Sequence, residues 1–442
     1  MRREIVKSIA LFLLVVVSLT LTWCIWSYQG DYAPTNPSEP TKISNIASAK
    51  PISDVIRPYQ IVRYPADQPK DLVGMLGNGV NSLYKLLTDA HLSIQPNLEM
   101  PKPTGNVYDL FFPTPISTTI IKDLFQLNST NASTLSQDWL IDRVQLYQAK
   151  NSKDTTYVVF MDQNGTPKFY AKGDLSVFDK YDKSVKDSSN WLSYTKKRLK
   201  DREVYLPNEP IKTVSVESHL YSLVGFDAFK TILFSNPRQV IYSGNTYSDG
   251  VSQLSSHQKL VMQYYTVSSG SGSNGDPILQ SYKFINGHKG WTNSFNIDDY
   301  TSYPAKGQSQ VVFRLTENGL PVYSMDAYPY DYESQISLVW NEGELIKFDR
   351  TLITVGVSYK PSYPKEVTTP MDSIELLKKT GAFNLSSISD FRLGYEMTLD
   401  QDEASITYTP GWFFKKDGTW YSVTDFLNKY SNSIEEDKGG GT

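Results

Sequence analysis

SQVVFRLTENGLPVYSM, residues 309–325, reads as a strand, an Asn318-Gly319 turn and a returning strand. An Asn-Gly pair between alternating apolar runs is the strongest short-range hairpin signal, because its two-residue turn needs left-handed backbone at both centres. ISLVWNEGELIKFDRTLITVGVSY, residues 336–359, repeats the plan around Glu342-Gly343, and DTTYVVFMDQNGTPKFYAK, residues 154–172, does so around Asn164-Gly165. Aromatic content of 13%, with 30 Tyr and 19 Phe, suits half-buried pleated sheet. The fold class is therefore α+β, dominated by antiparallel sheets with packed helices. A chain of 442 residues exceeds what one core usually serves, so several domains are expected. Its single cysteine, Cys24, leaves burial rather than disulfides to stabilise it.

Working outward, residues 71–90, DLVGMLGNGVNSLYKLLTDA, carry helical spacing at Leu72, Leu76, Val80, Leu83 and Leu87. Residues 118–125 predict a short helix, and 175–201 a charged surface helix or loop. A further helix is expected near 220–234, followed by short strands in 238–244, 246–255 and 258–267. SSGSGSNGDP, residues 268–277, reads as a connector. Helices over 278–291 and 371–379 then alternate with strands, the second starting near Asp372 and stopping at Gly381. ISDFRLGYEM, ASITYTPGWFFKK and TWYSVTDFL close the order as strands. Helix, strands, helix, strands reads as an internal duplication within 278–428.

At the N-terminus, SIALFLLVVVSLTLTWCIWSY, residues 8–28, has no charged residue and follows Arg2, Arg3 and Lys7. About twenty apolar residues span a bilayer as a helix. Eleven of these are Leu, Ile, Phe or Val, favouring insertion by about 3 to 7 kcal/mol in sum. The exit through Trp23, Trp26 and Tyr28 offers no small-residue cleavage site and belongs to a membrane-interface belt. Trp23 also stands where a lipobox needs a small residue before its cysteine. An uncleaved single-pass anchor is expected, with a cytoplasmic N-terminus and residues 30–442 outside the cell membrane. Leu11, Val15, Ser18, Thr22 and Ile25 fall at alternating steps of four and three, the spacing of a helix–helix seam. The division expected is anchor 1–29, Pro-rich linker 30–52, an N-terminal domain 53–205, a central domain 206–277, a C-terminal domain 278–430 and a disordered tail 431–442.

The charge balance is −4, with no basic stripe outside the membrane, which argues against nucleic acid as a partner. The four histidines, His91, His219, His257 and His288, form no zinc-ligand frame and read as surface or loop residues. Ser82-Leu83-Tyr84-Lys85, Ser188-Ser189-Asn190 and Lys379-Thr380-Gly381 reproduce the order of the penicillin-recognising motifs. That chemistry needs its serine at a helix start and its K-T-G on a strand. Here Ser82 is expected mid-helix and Lys379-Thr380-Gly381 at a helix C-terminus. Asp298-Asp299 and Asp400, Asp402, Glu403 are read as turn acids rather than a glycosidase pair. Trp412 and Phe414, alternating on a strand, read as core, although such aromatics also serve glycan surfaces. No catalytic, cofactor or metal residue is assigned.

Several of these segments resemble one family. SLTLTWCIWSYQGDY resembles the start of the YycH (WalH) family of membrane-anchored regulators of the WalK (YycG) sensor histidine kinase in low-GC Gram-positive bacteria. SYKFINGHKGW, VVFRLTENGLPVYS, ISDFRLGYEMTL and TPGWFFKKDGTWY are similar to both YycH and its companion YycI. The resemblance implies a single-pass, non-enzymatic regulator with three exported domains, the last YycI-like. It implies association with YycI and WalK through transmembrane helices, and adjustment of signalling in cell-wall homeostasis. An exported wall-glycan or small-ligand sensor is the second reading, and a penicillin-recognising enzyme the third.

Overall fold

The computed structural model describes residues 7, 13–22, 46–95, 99–128, 138–149, 152–173, 178, 181–183, 191–268, 272 and 275–430. The chain divides into two units, 1–42 and 43–442. In the first, residues 13–22 are helical. Among the described residues no helix is long and apolar enough to cross a membrane.

Two sheets build the second unit. The N-terminal sheet has ten strands and runs from the edge Glu203–Pro207 through Leu192–Arg198, Val73–Leu76 and Gln60–Pro65 to Pro103–Ser117. It continues through Leu140–Ala149, Ser152–Met161, Pro167–Gly173 and His91–Ile94 to Gln126–Asn128. Every pair is antiparallel except the last. Its central strand Pro103–Ser117 is buried on both faces. Tyr108, Leu110 and Phe112 enter the main core, where the helices Asn81–Thr88 and Thr118–Leu124 add Leu83, Leu87, Ile120 and Ile121. Val107 and Phe111 point the other way, into smaller clusters with Tyr157 and Tyr205.

The C-terminal sheet has fourteen strands. Leu320–Tyr323 and Ile388–Asp400 are its parallel pair, and the long hairpin Ile388–Asp400 with Ser405–Lys416 forms its spine. Helices Pro277–Gly287 and Pro370–Lys379 are each tied to the sheet by a strand tryptophan. Trp340 Nε1 donates to Ser281 Oγ at 2.7 Å, and Trp412 Nε1 to Thr368 O at 2.7 Å. Residues 206–277 contribute strands to this same sheet: Ser215–Leu223 lies between Ser405–Lys416 and Ile353–Pro364, and Val261–Thr266 pairs with Glu344–Thr351.

The three turns expected from sequence hold their hairpins, with positive φ at Gly165, Asn318, Gly319, Glu342 and Gly343. Trp412 and Phe414 are core residues, as expected. Four segments differ. The helix expected over 71–90 is confined to Asn81–Thr88, because glycines at 74, 77 and 79 weaken a helix by about 1 kcal/mol each and Val73–Leu76 pairs on both sides as a strand. Leu192–Arg198 is a strand, its lysines facing solvent near the sheet edge rather than marking a loop. Residues 215–223 are a strand, and only Phe226–Leu233 is helical near the position expected. Residues 423–430 are helical rather than extended, capped by Ser422 Oγ, which accepts from the Asp425 amide at 3.3 Å. The helix at 370 has Asp372 in its first turn, as expected, and is capped by Thr369.

The sheets meet at one turn on each side. Asn78 N donates to Asn318 O at 3.1 Å, and a Cβ on Gly319 falls 2.6 Å from the Gly77 carbonyl carbon. Gly319→Ala combines that clash with φ +77, so it costs about 1–3 kcal/mol, measured as a lower urea midpoint with an unchanged m-value.

Candidate functional site

Of the seam predicted in the N-terminal helix, Val15, Ser18 and Thr22 lie in the described helical residues 13–22 and are exposed. Leu11 and Ile25 lie outside the described residues, as do Trp23, Trp26 and Tyr28. Thr22 Oγ1 donates to Ser18 O at 2.9 Å, and Thr20 Oγ1 to Val16 O at 3.0 Å. Threonine protons in this segment are thus used on the helix's own backbone, leaving the oxygens to accept.

The described end of the expected linker is fastened to the second unit. Ala47 N donates to Lys289 O at 2.7 Å, Lys50 N to Asn286 Oδ1 at 2.8 Å and Lys50 Nζ to Asn293 O at 2.7 Å. Tyr282 donates to Lys50 O at 2.8 Å, and Asn296 exchanges bonds with the backbone of Arg57. Segment 46–57 therefore attaches to helix Pro277–Gly287, the loop after it and strand Phe295–Tyr303 before Gln60 opens the N-terminal sheet.

Between the sheets lies a buried group of charges. Asp298 sits on strand Phe295–Tyr303, beside a bulge that turns it inward. Arg314 Nε donates to its Oδ2 at 2.6 Å and Arg392 Nη1 to its Oδ1 at 2.9 Å. Arg392 also bonds Asp390, and its Nη2 reaches Pro113 O of the N-terminal sheet at 2.9 Å. Arg202 crosses in the opposite direction, 3.4 Å from Asp390 and 3.3 Å from Pro113 O. Aromatic faces enclose the arginines: Arg392 lies 4.9 Å from the Tyr59 ring and 5.2 Å from Trp420, and Arg314 4.5 Å from Tyr323. Burial pushes the Asp298 carboxyl up, but Arg314, Arg392 and Lys415 outweigh it and hold it below the usual carboxylate range. The expectation that Asp298 and Asp299 are solvated turn acids is thus corrected: both are on a strand, and Asp299 pairs with Lys415 at 2.8 Å. Their i, i+1 spacing gave no sign of arginines 16 and 94 residues away.

Beside this group opens a cleft of about 660 Å³. It is lined by Asp298, Arg314 and Tyr323, by residues of the segment 324–335, and by residues of 415–422 and of the helical 423–430. Ser324 Oγ is 3.3 Å from both Asp326 and Glu333. Burial, then Asp326, push the Glu333 carboxyl up to about 7.

The motif residues do not assemble. Ser82 lies in the first turn of its helix, not mid-helix as expected, because that helix starts at Asn81; it and Lys85 are exposed. Lys379-Thr380-Gly381 ends its helix with Gly381 at φ +70, as expected. Ser188, Ser189 and Asn190 lie outside the described residues. Asp400, Asp402 and Glu403 are an exposed turn closed by Asp400 Oδ1. His288 is buried rather than superficial, and burial followed by Arg350 lowers it to about 4. No group of His, Cys, Asp and Glu among the described residues could hold a metal ion.

The architecture is that of a sheet-dominated α+β protein whose buried polar residues join two sheets. Residues 4–187 match the model of the YycH protein N-terminal domain, and residues 201–431 that of the YycH protein C-terminal domain. The chain belongs to the YycH family. It is 22% identical, over 97% of its length and 98% of the relative's, to the two-component system WalR/WalK regulatory protein YycH of Bacillus subtilis (strain 168). The crystal structure of YycH from Bacillus subtilis superposes with a TM-score of 0.67 at 17% identity, covering 86% of this chain and 99% of that one, which supports the fold.

Replacing Arg392 by Met leaves Asp298 and Asp390 undercompensated and lowers stability by about 3–5 kcal/mol, read from urea unfolding. The Glu333 carboxyl is raised in the folded state, so folding takes up a proton and stability falls as pH climbs from its ordinary 4.5 to about 7. Glu333→Gln therefore gains on the parent across that window, by about 1–3 kcal/mol at pH 8, in melts recorded at stepped pH. Equal slopes for the two proteins contradict the assignment.

Proposed function

We propose that this chain is a non-enzymatic, membrane-anchored regulator of a WalK (YycG)-type sensor histidine kinase, acting with YycI to adjust signalling in cell-wall homeostasis. One observation carries the reading: the match to the WalR/WalK regulatory protein extends over almost the full length of both chains, so that it includes the N-terminal stretch as well as both sheets. In this reading residues 8–28 span the bilayer, with the N-terminus cytoplasmic and residues 30–442 outside. Leu11, Val15, Ser18, Thr22 and Ile25 form the face that meets partner helices, while Trp23, Trp26 and Tyr28 set depth at the interface. In a membrane such contacts are made by close packing and by hydroxyl hydrogen bonds of about 0.6 kcal/mol each. The docking of 46–57 onto helix Pro277–Gly287 and the residues after it supports transmission, because that segment is held by a folded element.

A second reading, an exported small-ligand sensor, is favoured by the cleft beside the buried charge group. The two are compatible, since a regulator needs an input.

Replacing residues 8–28 by an unrelated spanning helix abolishes co-purification with the kinase from detergent-solubilised membranes, while the exported part keeps its thermal transition. Undiminished co-purification contradicts the anchor-centred mechanism.

A further inference from the structure

The N-terminal sheet curls over its own outer face, the one turned from the main core. Tyr205 belongs to the edge strand, four places from Pro103–Ser117 in sheet order, yet its ring meets that of Phe111 on the central strand at 4.9 Å. Its carbonyl oxygen also accepts from Gln60 Nε2 at 2.9 Å. Tyr194 lies over Gly74, where an added Cβ would fall 2.5 Å from the ring, so the curl needs a residue without a side chain there. The hollow encloses a cavity of about 520 Å³, and Lys70, Leu72, Asp109, Arg143, Lys196 and Tyr205 are among its lining residues.

Arg143 is the unusual member of this lining. Its guanidinium makes no hydrogen bond among the described residues: Nη1 comes only within 3.7 Å of Asp109 Oδ2, and Nε is buried without a partner. The group is fixed in place all the same, 4.8 Å from the Phe111 ring and with Nη1 against the Asn164-Gly165 turn. The side chain is 14% exposed, and of its nitrogens only Nε is sealed, so the Nη donors remain accessible. Asp109 has a donor of its own, Gln145 Nε2 at 2.9 Å from Oδ1. Lys196 pairs with Glu203 at 2.9 Å, whereas Lys70 has no acidic partner among the described residues. Three cations, Lys70, Arg143 and Lys196, thus face two acids, Asp109 and Glu203, which leaves one positive charge unmatched.

A guanidinium presents its N–H donors as a planar fork that fits the two oxygens of a carboxylate or phosphate, and such charge-assisted bonds are about twice as strong as neutral ones. A cationic ligand is repelled by the unmatched charge, and a neutral one offers the fork only the weaker kind of acceptor. Leu72 and the Tyr205 ring add apolar surface, and the volume lies within the range of about 300–1,000 Å³ that holds small ligands. We propose that this cavity binds a small organic oxyanion, its carboxylate or phosphate head on the Arg143 Nη groups beside Lys70 and its apolar body against Leu72 and the Tyr205 ring. The site rests neither on the kinase reading nor on the cleft beside Asp298, so its failure leaves both standing.

The test is a ligand-observed NMR titration of the full-length chain in nanodiscs, with empty nanodiscs subtracted, using benzoate, phenyl phosphate, benzamide and benzylammonium. Benzoate and phenyl phosphate bind in the millimolar range expected of such small ligands. Benzamide, which keeps the shape and loses the charge, binds roughly ten-fold more weakly, the loss of one charge-assisted contact. The tighter of the two anions assigns the head group as carboxylate or phosphate, and either order supports the site. Arg143→Lys keeps a cation opposite Asp109 but loses the fork; it weakens both anions and leaves benzamide unchanged, at an unaltered melting temperature. Lys70→Met changes an exposed residue and does not threaten folding; it weakens the anions roughly two- to five-fold, the contribution of an exposed ion pair. Absence of binding at millimolar concentrations of both anions, equal affinity for benzoate and benzamide, anion affinity untouched by Arg143→Lys, or binding of benzylammonium in their place overturns the proposal.

Discussion

Asp298 is held by two arginines of its own sheet at once, and one of them, Arg392, also reaches Pro113 O of the other sheet. Removing such an ion from water costs several kcal/mol, and the interior returns it only where every remaining donor and lone pair is used. The chain meets most of this condition by convergence, with Arg392 Nε left buried and unbonded among the described residues. Arg314 comes from a neighbouring strand, Arg392 from the C-terminal spine, Arg202 from the loop beyond Leu192–Arg198, and Pro113 O from the central strand of the N-terminal sheet. Neither sheet supplies the whole set. The N-terminal sheet lacks the carboxylates at 298 and 390, and without Pro113 O the guanidinium of Arg392 loses an acceptor. The charge group therefore acts as a register pin: apolar packing alone tolerates small slides between sheets, whereas the 2.9 Å bond from Arg392 to Pro113 O and the Arg202–Asp390 pair across the boundary do not.

Segment 46–57 docks through Lys50 and Arg57 onto Asn286, Asn293 and Asn296, the last of them two residues before Asp298. The cleft is lined by Asp298, Arg314 and Tyr323. Strand Phe295–Tyr303 thus carries a contact of that segment and a cleft residue within three positions, the shortest covalent path through the body between them.

The fold was legible wherever local chemistry decides it. The glycines of Asn164-Gly165, Asn318-Gly319 and Glu342-Gly343 define turns because each sits at positive φ, which few other residues accept. Trp412 and Phe414 alternate as strand core residues do. The misreadings share a cause, a local pattern overruled by distant partners. Residues 71–90 have helical spacing, but Val73–Leu76 finds a strand on either side. The lysines of Leu192–Arg198 suggested a loop because an edge-proximal strand also faces water. Asp298 was the largest miss, since its partners are distant in sequence and nothing in the Asp-Asp pair distinguishes a pinned acid from a solvated one. The cleft was invisible for the same reason: its lining joins segments roughly a hundred residues apart, each unremarked by itself.

The pin's central claim is that the two sheets open as one unit. Native-state hydrogen exchange of the full-length chain tests it most directly, by comparing amides of Leu140–Ala149 with those of Ile388–Asp400. If the charge group couples the sheets, the slowest amides in both strands exchange with the same opening free energy and the same denaturant dependence. Separate opening free energies, with the C-terminal spine staying protected while the N-terminal sheet exchanges, contradict the account.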